Sequence, residues 1–206
     1  LVKCFNEVAE LLDVMKPQVV INVAALSEVA LSFKRPVEYF DVNTTAVVKL
    51  CEHLRTRPYL ERYVHVSSAE IFGDCATPLN EECHFNPSTP YAVSKAAADF
   101  YLNTLLSGVG FPVTIARSTN VYGGHQQLFK IIPRTIIYLM LGKTLELHGG
   151  GQAIKSFIHV RDVVQGLIRA IESGNPGSYH FTMNSNQTIA DIVRHICTYM
   201  GHDFEE

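Results

Sequence analysis

The chain has 206 residues, 47% of them hydrophobic and 18% charged, with a formal net charge of -3. That balance excludes a disordered chain and allows one good core or a domain and a half. With no basic run, it also argues against nucleic acid as the main partner, because phosphate neutralisation needs clustered Lys and Arg.

Phe5, Val8, Leu11, Leu12 and Met15 recur at helical spacing until Pro17 stops the run. The apolar stretch Gln18 to Ala25 suits a parallel strand buried on both faces. Pro36 opens a second helix, with Val37, Phe40, Val47, Leu50 and Leu54 marking one face. Arg62 to Ser67 reads as a strand, residues 73–90 as a loop, Tyr91 to Leu106 as a helix and Val113 to Ser118 as a strand. Strands alternating with helices at this spacing predict an α/β fold with a parallel sheet and helices on both faces.

Beyond Asn120 the elements shorten, and a smaller second lobe is expected. It has a buried helix through Ile131 to Leu141, a strand at Leu145 to His148 and a helix from Asp162 to Ile171. Thr188 and Asp191 have capping-box spacing for a last helix that Gly201 closes. No apolar run approaches the roughly 20 residues of a membrane span, and the charged N-terminal segment does not resemble a signal peptide. The five cysteines form no CxxC pair and fit reduced thiols in the cytoplasm. The nine histidines show no metal-ligand spacing, so no metal is expected.

The chemistry concentrates at Tyr91-Ala-Val-Ser-Lys95, where Tyr and Lys stand one helical turn apart. An ammonium close to a phenol lowers the phenol pKa, so Tyr91 is expected to act as a base near neutral pH. Upstream, His65-Val-Ser-Ser-Ala-Glu-Ile-Phe-Gly73 follows a predicted strand and supplies Ser67, Ser68 and Glu70 at its carboxyl end. Ligands bind there in open α/β sheets. The plainer alternative is a polar loop with a helix-capping Ser.

Six motifs occur in order: Asn22-Val-Ala-Ala25, Asn43, Ser67-Ser-Ala-Glu-Ile-Phe-Gly73, Pro90 to Asp99, Arg117-Ser-Thr-Asn-Val-Tyr-Gly123 and Ser156-Phe-Ile-His-Val-Arg-Asp162. Together they resemble the extended short-chain dehydrogenase/reductases, the NAD-dependent nucleotide-sugar epimerase/dehydratase family. The resemblance implies a Rossmann-like doubly wound parallel sheet, with its N-terminal part missing, and a smaller C-terminal substrate-binding lobe. Residues 1–122 would be the partial NAD-binding domain with the catalytic residues. Residues 123–206 would mainly bind the nucleotide sugar, interleaved with the Rossmann core.

By the same resemblance, Tyr91 is the catalytic base, Lys95 its partner on the nicotinamide ribose, and Ser68 the hydroxyl that orients the sugar. Asn43 supports Lys95 through water. Ala24 and Ala25 let NAD approach the strand end, which Ser67 and Ser118 also border. Asn120 and Lys155 contact the substrate diphosphate, and Ile132 and Pro133 pack its base. A solvated Lys155 and a core role for Ile132 and Pro133 are the simpler alternatives.

Glu70 matches the carbon-5 base of sugar 4,6-dehydratases. Ala69 departs from their Asp or Ser and cannot donate a proton to a leaving hydroxyl. The expectation is therefore 4,6-dehydration through a 4-keto sugar, with 4-epimerisation or decarboxylation as alternatives. Homodimerisation through the helices of Asn43 and Tyr91 is also implied. No glycine turn follows a first strand, so the sequence reads as a portion of a longer protein. The rival reading is a truncated, non-catalytic nucleotide-sugar-binding remnant.

Overall fold

The computed structural model describes residues 2–75 and 77–204. Helix α1 (Phe5–Met15) follows the predicted periodicity and ends at Lys16, which turns left-handed ahead of Pro17. Phe5 and Leu12 pack on the main core, whereas Leu11 and Met15 are exposed. Strand β1 (Val19–Asn22) departs from expectation. Only Asn22 is buried; Val19, Ile21 and Val23 are exposed. The cause is position: β1 is the outer strand of its sheet and has one neighbour rather than two.

Next come α2 (Val29–Lys34) and α3 (Pro36–Phe40), the latter with Pro36 in its first turn, where a missing N–H costs nothing. A π-helical turn over Asp41–Thr45 then leads into α4 (Ala46–Leu54). This turn corrects the predicted single apolar face. Val47, Leu50 and Leu54 are buried, but Val37 and Phe40 are exposed and Tyr39 is buried instead. A π turn holds one residue more than an α turn, so it rotates everything before it by about 100° relative to α4.

Strand β2 (Arg62–Ser68) passes into a 3-10 turn at Ala69–Phe72. Gly73 closes that turn at φ 67, and a Cβ there would stand 2.2 Å from the Asn86 carbonyl oxygen. Helix α5 (Pro90–Val109) begins one residue earlier and ends later than predicted. The Thr89 hydroxyl accepts from the Ala92 N–H at 3.1 Å, and left-handed Gly110 ends the helix. Strand β3 (Val113–Ser118) is as predicted.

The remaining elements are β4 (Asn120–Tyr122), α6 (Ile131–Met140), β5 (Ile154–His159), α7 (Val160–Glu172), β6 (Gly177–Phe181), β7 (Asn186–Thr188) and α8 (Ile189–Met200). The strand predicted at Leu145 to His148 does not form. No partner strand reaches that stretch, and it runs into a 3-10 turn at His148–Gly151. Nor is α6 a buried helix. Thr135 is its one buried residue, and Met140 and Leu141 lie exposed. The Thr188–Asp191 capping box and the left-handed Gly201 cap of α8 are both present.

Two compact units result. One comprises residues 1–118 and 166–180, the other 119–165 and 181–206. The first contains a four-stranded sheet in the order β1-β2-β3-β6, with β1, β2 and β3 mutually parallel and Ser68 beside Ser118 in register. Its core joins Val47, Leu50 and Leu54 of α4 to Tyr63, Leu102, Val113 and Ile115. Each such buried aliphatic side chain contributes about 1.5–3 kcal/mol relative to exposure. The second unit holds a sheet in the order β4-β5-β7, parallel then antiparallel, and α6 packs against α8.

Candidate active site

The parallel strands β1, β2 and β3 end at one edge of the first unit's sheet, and the predicted residues cluster there. Ala24 and Ala25 follow β1 and are exposed, so no side chain covers this end of the strand. Ser67 and Ser68 close β2, and Ser118 closes β3. The Ser67 hydroxyl is buried and hydrogen-bonds the Asp99 carboxyl, favouring its charged form.

Ser68 plays the capping role of the plainer alternative. Its oxygen accepts from the Glu70 N–H at 3.2 Å, capping the 3-10 turn. Its hydroxyl also stabilises the Tyr91 phenolate by hydrogen bonding. That bond and the nearby charge of Glu70 bring Ser68, Glu70 and Tyr91 together. Tyr91 sits in the first turn of α5, 9% exposed, with its ring edge-on to Tyr39 at 6.3 Å.

The expected lowering of Tyr91 by Lys95 is not found. Burial raises the phenol above its usual value of 10, and Glu70, Tyr39 and Asp99 add to the rise. The reason is where the ammonium goes. Lys95 Nζ donates to the Val66 carbonyl at 2.7 Å and lies 3.3 Å from His65 Nε2. Burial lowers Lys95 itself to about 8, opposed by Asp99.

Asn43 occupies the π turn and is fully buried. Its amide accepts from the Leu26 N–H at 2.9 Å and donates to the Leu26 carbonyl and the Ser94 hydroxyl, each at 3.0 Å. The side chain therefore clamps the segment after β1 to α5 instead of reaching Lys95 or open space. In the second unit, Asn120 Nδ2 donates to the Ser156 carbonyl at 3.1 Å, tying β4 to β5. Lys155 lies on β5 opposite Gln187, and Ile132 and Pro133 are half-buried in the first turn of α6.

Sequence reasoning gave no role to His65, Asp99 or Arg117, which lie buried behind Lys95. A signal was present. His65 and Arg117 interrupt otherwise apolar strands, and Asp99 stands one helical turn beyond Lys95. Among the described residues, no group of His, Cys, Asp and Glu is arranged to hold a metal ion. All five cysteines are unpaired thiols, and no described helix is long and apolar enough to cross a membrane.

A parallel α/β sheet whose strand ends meet a Ser–Tyr–Lys set is the layout of the extended short-chain dehydrogenase/reductases. The model of the NAD dependent epimerase/dehydratase family matches residues 4–183, and the chain belongs to that family. It is 31% identical over 191 residues to the dTDP-D-glucose 4,6-dehydratase of Homo sapiens, covering 90% of this chain and 53% of that protein. With the dTDP-glucose 4,6-dehydratase of Haemophilus influenzae it shares 28% identity over 204 residues, 93% of this chain and 60% of the relative. The chain thus spans little more than half the length of the curated relatives it matches.

Among solved structures, DesIV, a dTDP-glucose 4,6-dehydratase from Streptomyces venezuelae with NAD and TYD bound, superposes with a TM-score of 0.89 at 27% identity, covering 96% of this chain and 62% of that one. A UDP-N-acetylglucosamine 4-epimerase from Methanobrevibacter ruminantium superposes with a TM-score of 0.87 at 25% identity, covering 96% and 64%.

Proposed function

We propose that this chain acts in the NAD-dependent modification of a nucleotide-diphosphate sugar through a 4-keto sugar, with 4,6-dehydration as the leading reaction. The observation that carries this reading is the meeting of Ser68, Glu70 and Tyr91 at the carboxyl end of β2. The similarity to 4,6-dehydratases supports it.

NAD+ would supply the hydride acceptor and a positive ring charge. The exposed Ala24 and Ala25, Ser67, Ser118 and Lys95 are the groups suited to hold it. Two Lys95 N–H groups face Val66 and His65, which leaves one for a ribose hydroxyl or the phenolate. Asn43 holds the Ala24–Leu26 segment in place for that purpose.

Tyr91 takes the proton of the sugar's 4-hydroxyl, which Ser68 orients. Loss of the carbon-4 hydride would leave a 4-ketone that acidifies carbon 5. Glu70 then removes the carbon-5 proton, the 6-hydroxyl departs as water, and the dehydration closes when that hydride adds to carbon 6 and a proton returns to carbon 5. Ala69 has no proton to offer the leaving 6-hydroxyl, so water or another side chain serves as that acid. Asn120 and Lys155 bind the diphosphate, and Ile132 and Pro133 pack the base. In domain terms, residues 1–122 carry the catalytic and NAD-binding groups, and residues 123–206 mainly those for the nucleotide sugar.

A second reading, 4-epimerisation, is favoured by Ala69 and by the likeness to the Methanobrevibacter 4-epimerase; it needs no acid at carbon 6. Mass spectrometry of products after incubation with NAD+ and a panel of nucleotide-diphosphate hexoses decides. Loss of one water is the expected result. An unchanged mass with altered configuration would establish epimerisation, and loss of carbon dioxide from a uronic-acid substrate decarboxylation. Absence of turnover and of NAD binding would favour the non-catalytic remnant.

Val37 and Phe40 before Asn43, and Val93 and Phe100 on α5, are exposed apolar side chains on the two helices expected to pair in a homodimer. Sedimentation should therefore give twice the chain mass, and a monomer at micromolar concentration would remove this proposal. Unpaired cysteines suit the cytoplasm. A disulfide-linked chain recovered from cells would argue against that location.

A further inference from the structure

Behind the Tyr91 phenol lie four ionisable side chains, His65, Lys95, Asp99 and Arg117, each no more than 1% exposed. They come from three elements: β2, α5 and β3. Arg117 Nε donates to Asp99 Oδ2 at 2.9 Å, and its NH1 donates to the Glu81 carbonyl at 3.1 Å. The rings of Phe85 and Phe72 flank the guanidinium at 4.9 and 5.6 Å. Asp99 is thus fixed through one oxygen. Its other oxygen, Oδ1, stands 4.0 Å from His65 Nε2, and the Ser67 hydroxyl also hydrogen-bonds the carboxyl.

His65 is the hinge of the arrangement. Burial and the adjacent Lys95 charge hold its ring neutral, well below the ordinary imidazole value. A neutral ring with its proton on Nδ1 leaves Nε2 free to accept from Lys95. That tautomer leaves the Nδ1 proton buried without a partner. His65 therefore carries a desolvation penalty that a leucine of similar bulk would avoid. A residue chosen for packing alone would not need the ring.

We propose that His65 and Asp99 are positioning residues for Lys95. His65 holds the amine against the Val66 carbonyl, and Asp99, anchored by Arg117, supplies the opposite charge that keeps the amine an ammonium. The other groups facing this pocket are accounted for. Tyr63 of β2 stacks on His65 at 6.5 Å and, being deeply buried, stays neutral. Glu70, Tyr39 and Asp99 bear on the Tyr91 phenol, the Ser67 hydroxyl hydrogen-bonds Asp99, and Asp99 is the charge that supports Lys95. The inference rests on the proposed function for the use to which Lys95 is put, but not for the network itself.

The test is a titration of Lys95 in the protein without NAD or sugar, so turnover plays no part. With 13C-labelled lysine, the Lys95 Cε signal is the one lost in Lys95→Arg, and it should titrate at about 8. Asp99→Asn should lower that midpoint by about one unit or more, the scale of one nearby charge. His65→Leu should lower it too, while His65→Gln, which restores an acceptor, should hold it near the native value.

An unmoved Lys95 midpoint in His65→Leu would overturn the proposal, as would an equal fall in His65→Gln. If Asp99→Asn fails to fold, the two His65 variants decide alone. A shifted midpoint in a protein that turns over no sugar would keep the network and discard the proposed reaction; turnover with an unmoved midpoint would do the reverse.

Discussion

Tyr91→Phe should lower turnover of the NAD-bound enzyme by about 10²–10⁴-fold, the usual worth of a positioned acid or base. The loss should fall on kcat, with little change in KM. The ring is retained, so its edge-on contact with Tyr39 survives, and only the hydroxyl partner of Ser68 disappears. Folding should therefore be unaffected, and circular dichroism of the variant should match the parent. Because burial holds the phenol above its ordinary value, the parent's kcat/KM should rise with pH from neutrality. The rising limb should vanish with the hydroxyl. Retention of most activity in the variant would exclude Tyr91 as the base.

The second large effect is on stability. Arg117→Met should cost about 3–5 kcal/mol, because it strands the Asp99 carboxylate in a buried site. The guanidinium also lies between Phe72 and Phe85, which the methionine side chain would only partly fill. The deficit has a definite pH dependence. Burial already raises Asp99, and Arg117 is the first group opposing that rise. Removing it raises the carboxyl further.

A carboxyl raised by folding favours the folded state below its unfolded value and disfavours it as pH climbs through the folded one. The gap between variant and parent should accordingly narrow as pH falls from about 7 to about 5. Urea unfolding at both pH values measures it. A gap that widens toward acid would mean that Asp99 is not the group left unpaired.

Much of this layout is legible in the sequence wherever the signal is local. The capping box at Thr188, the start of α5 to within one residue and the apolar runs of β2 and β3 announce themselves within a few residues. The site residues at the ends of β2 and β3 follow, since their position depends only on where the strand stops. Three things were hidden because they depend on distant neighbours. The exposure of Val19 and Ile21 depends on how many strands flank β1.

The small sheet of β4, β5 and β7 consists of strands of three to six residues whose pairing partners lie far along the chain. The state of Tyr91 depends on where Lys95 directs its ammonium. Helical spacing places both on one side of α5, yet the carbonyl of Val66 and the ring of His65 compete successfully for the donor. Such competition is set by side-chain reach across β2, which spacing along α5 does not encode.

The π turn at Asp41–Thr45 has a consequence for how this protein tolerates sequence change. It acts as a one-residue frameshift within an otherwise continuous helical stretch. Deleting a single residue from it would let 36–54 settle into one regular α-helix, an apparently stabilising simplification. The segment before the deletion would then swing by about 100°. Val37 and Phe40 would turn to new surroundings, Tyr39 would leave the ring of Tyr91, and Asn43 would lose its hold on Leu26 and Ser94. Idealising this helix and preserving the site are incompatible aims, so natural or engineered length variation should spare residues 41–45 even where substitutions are accepted.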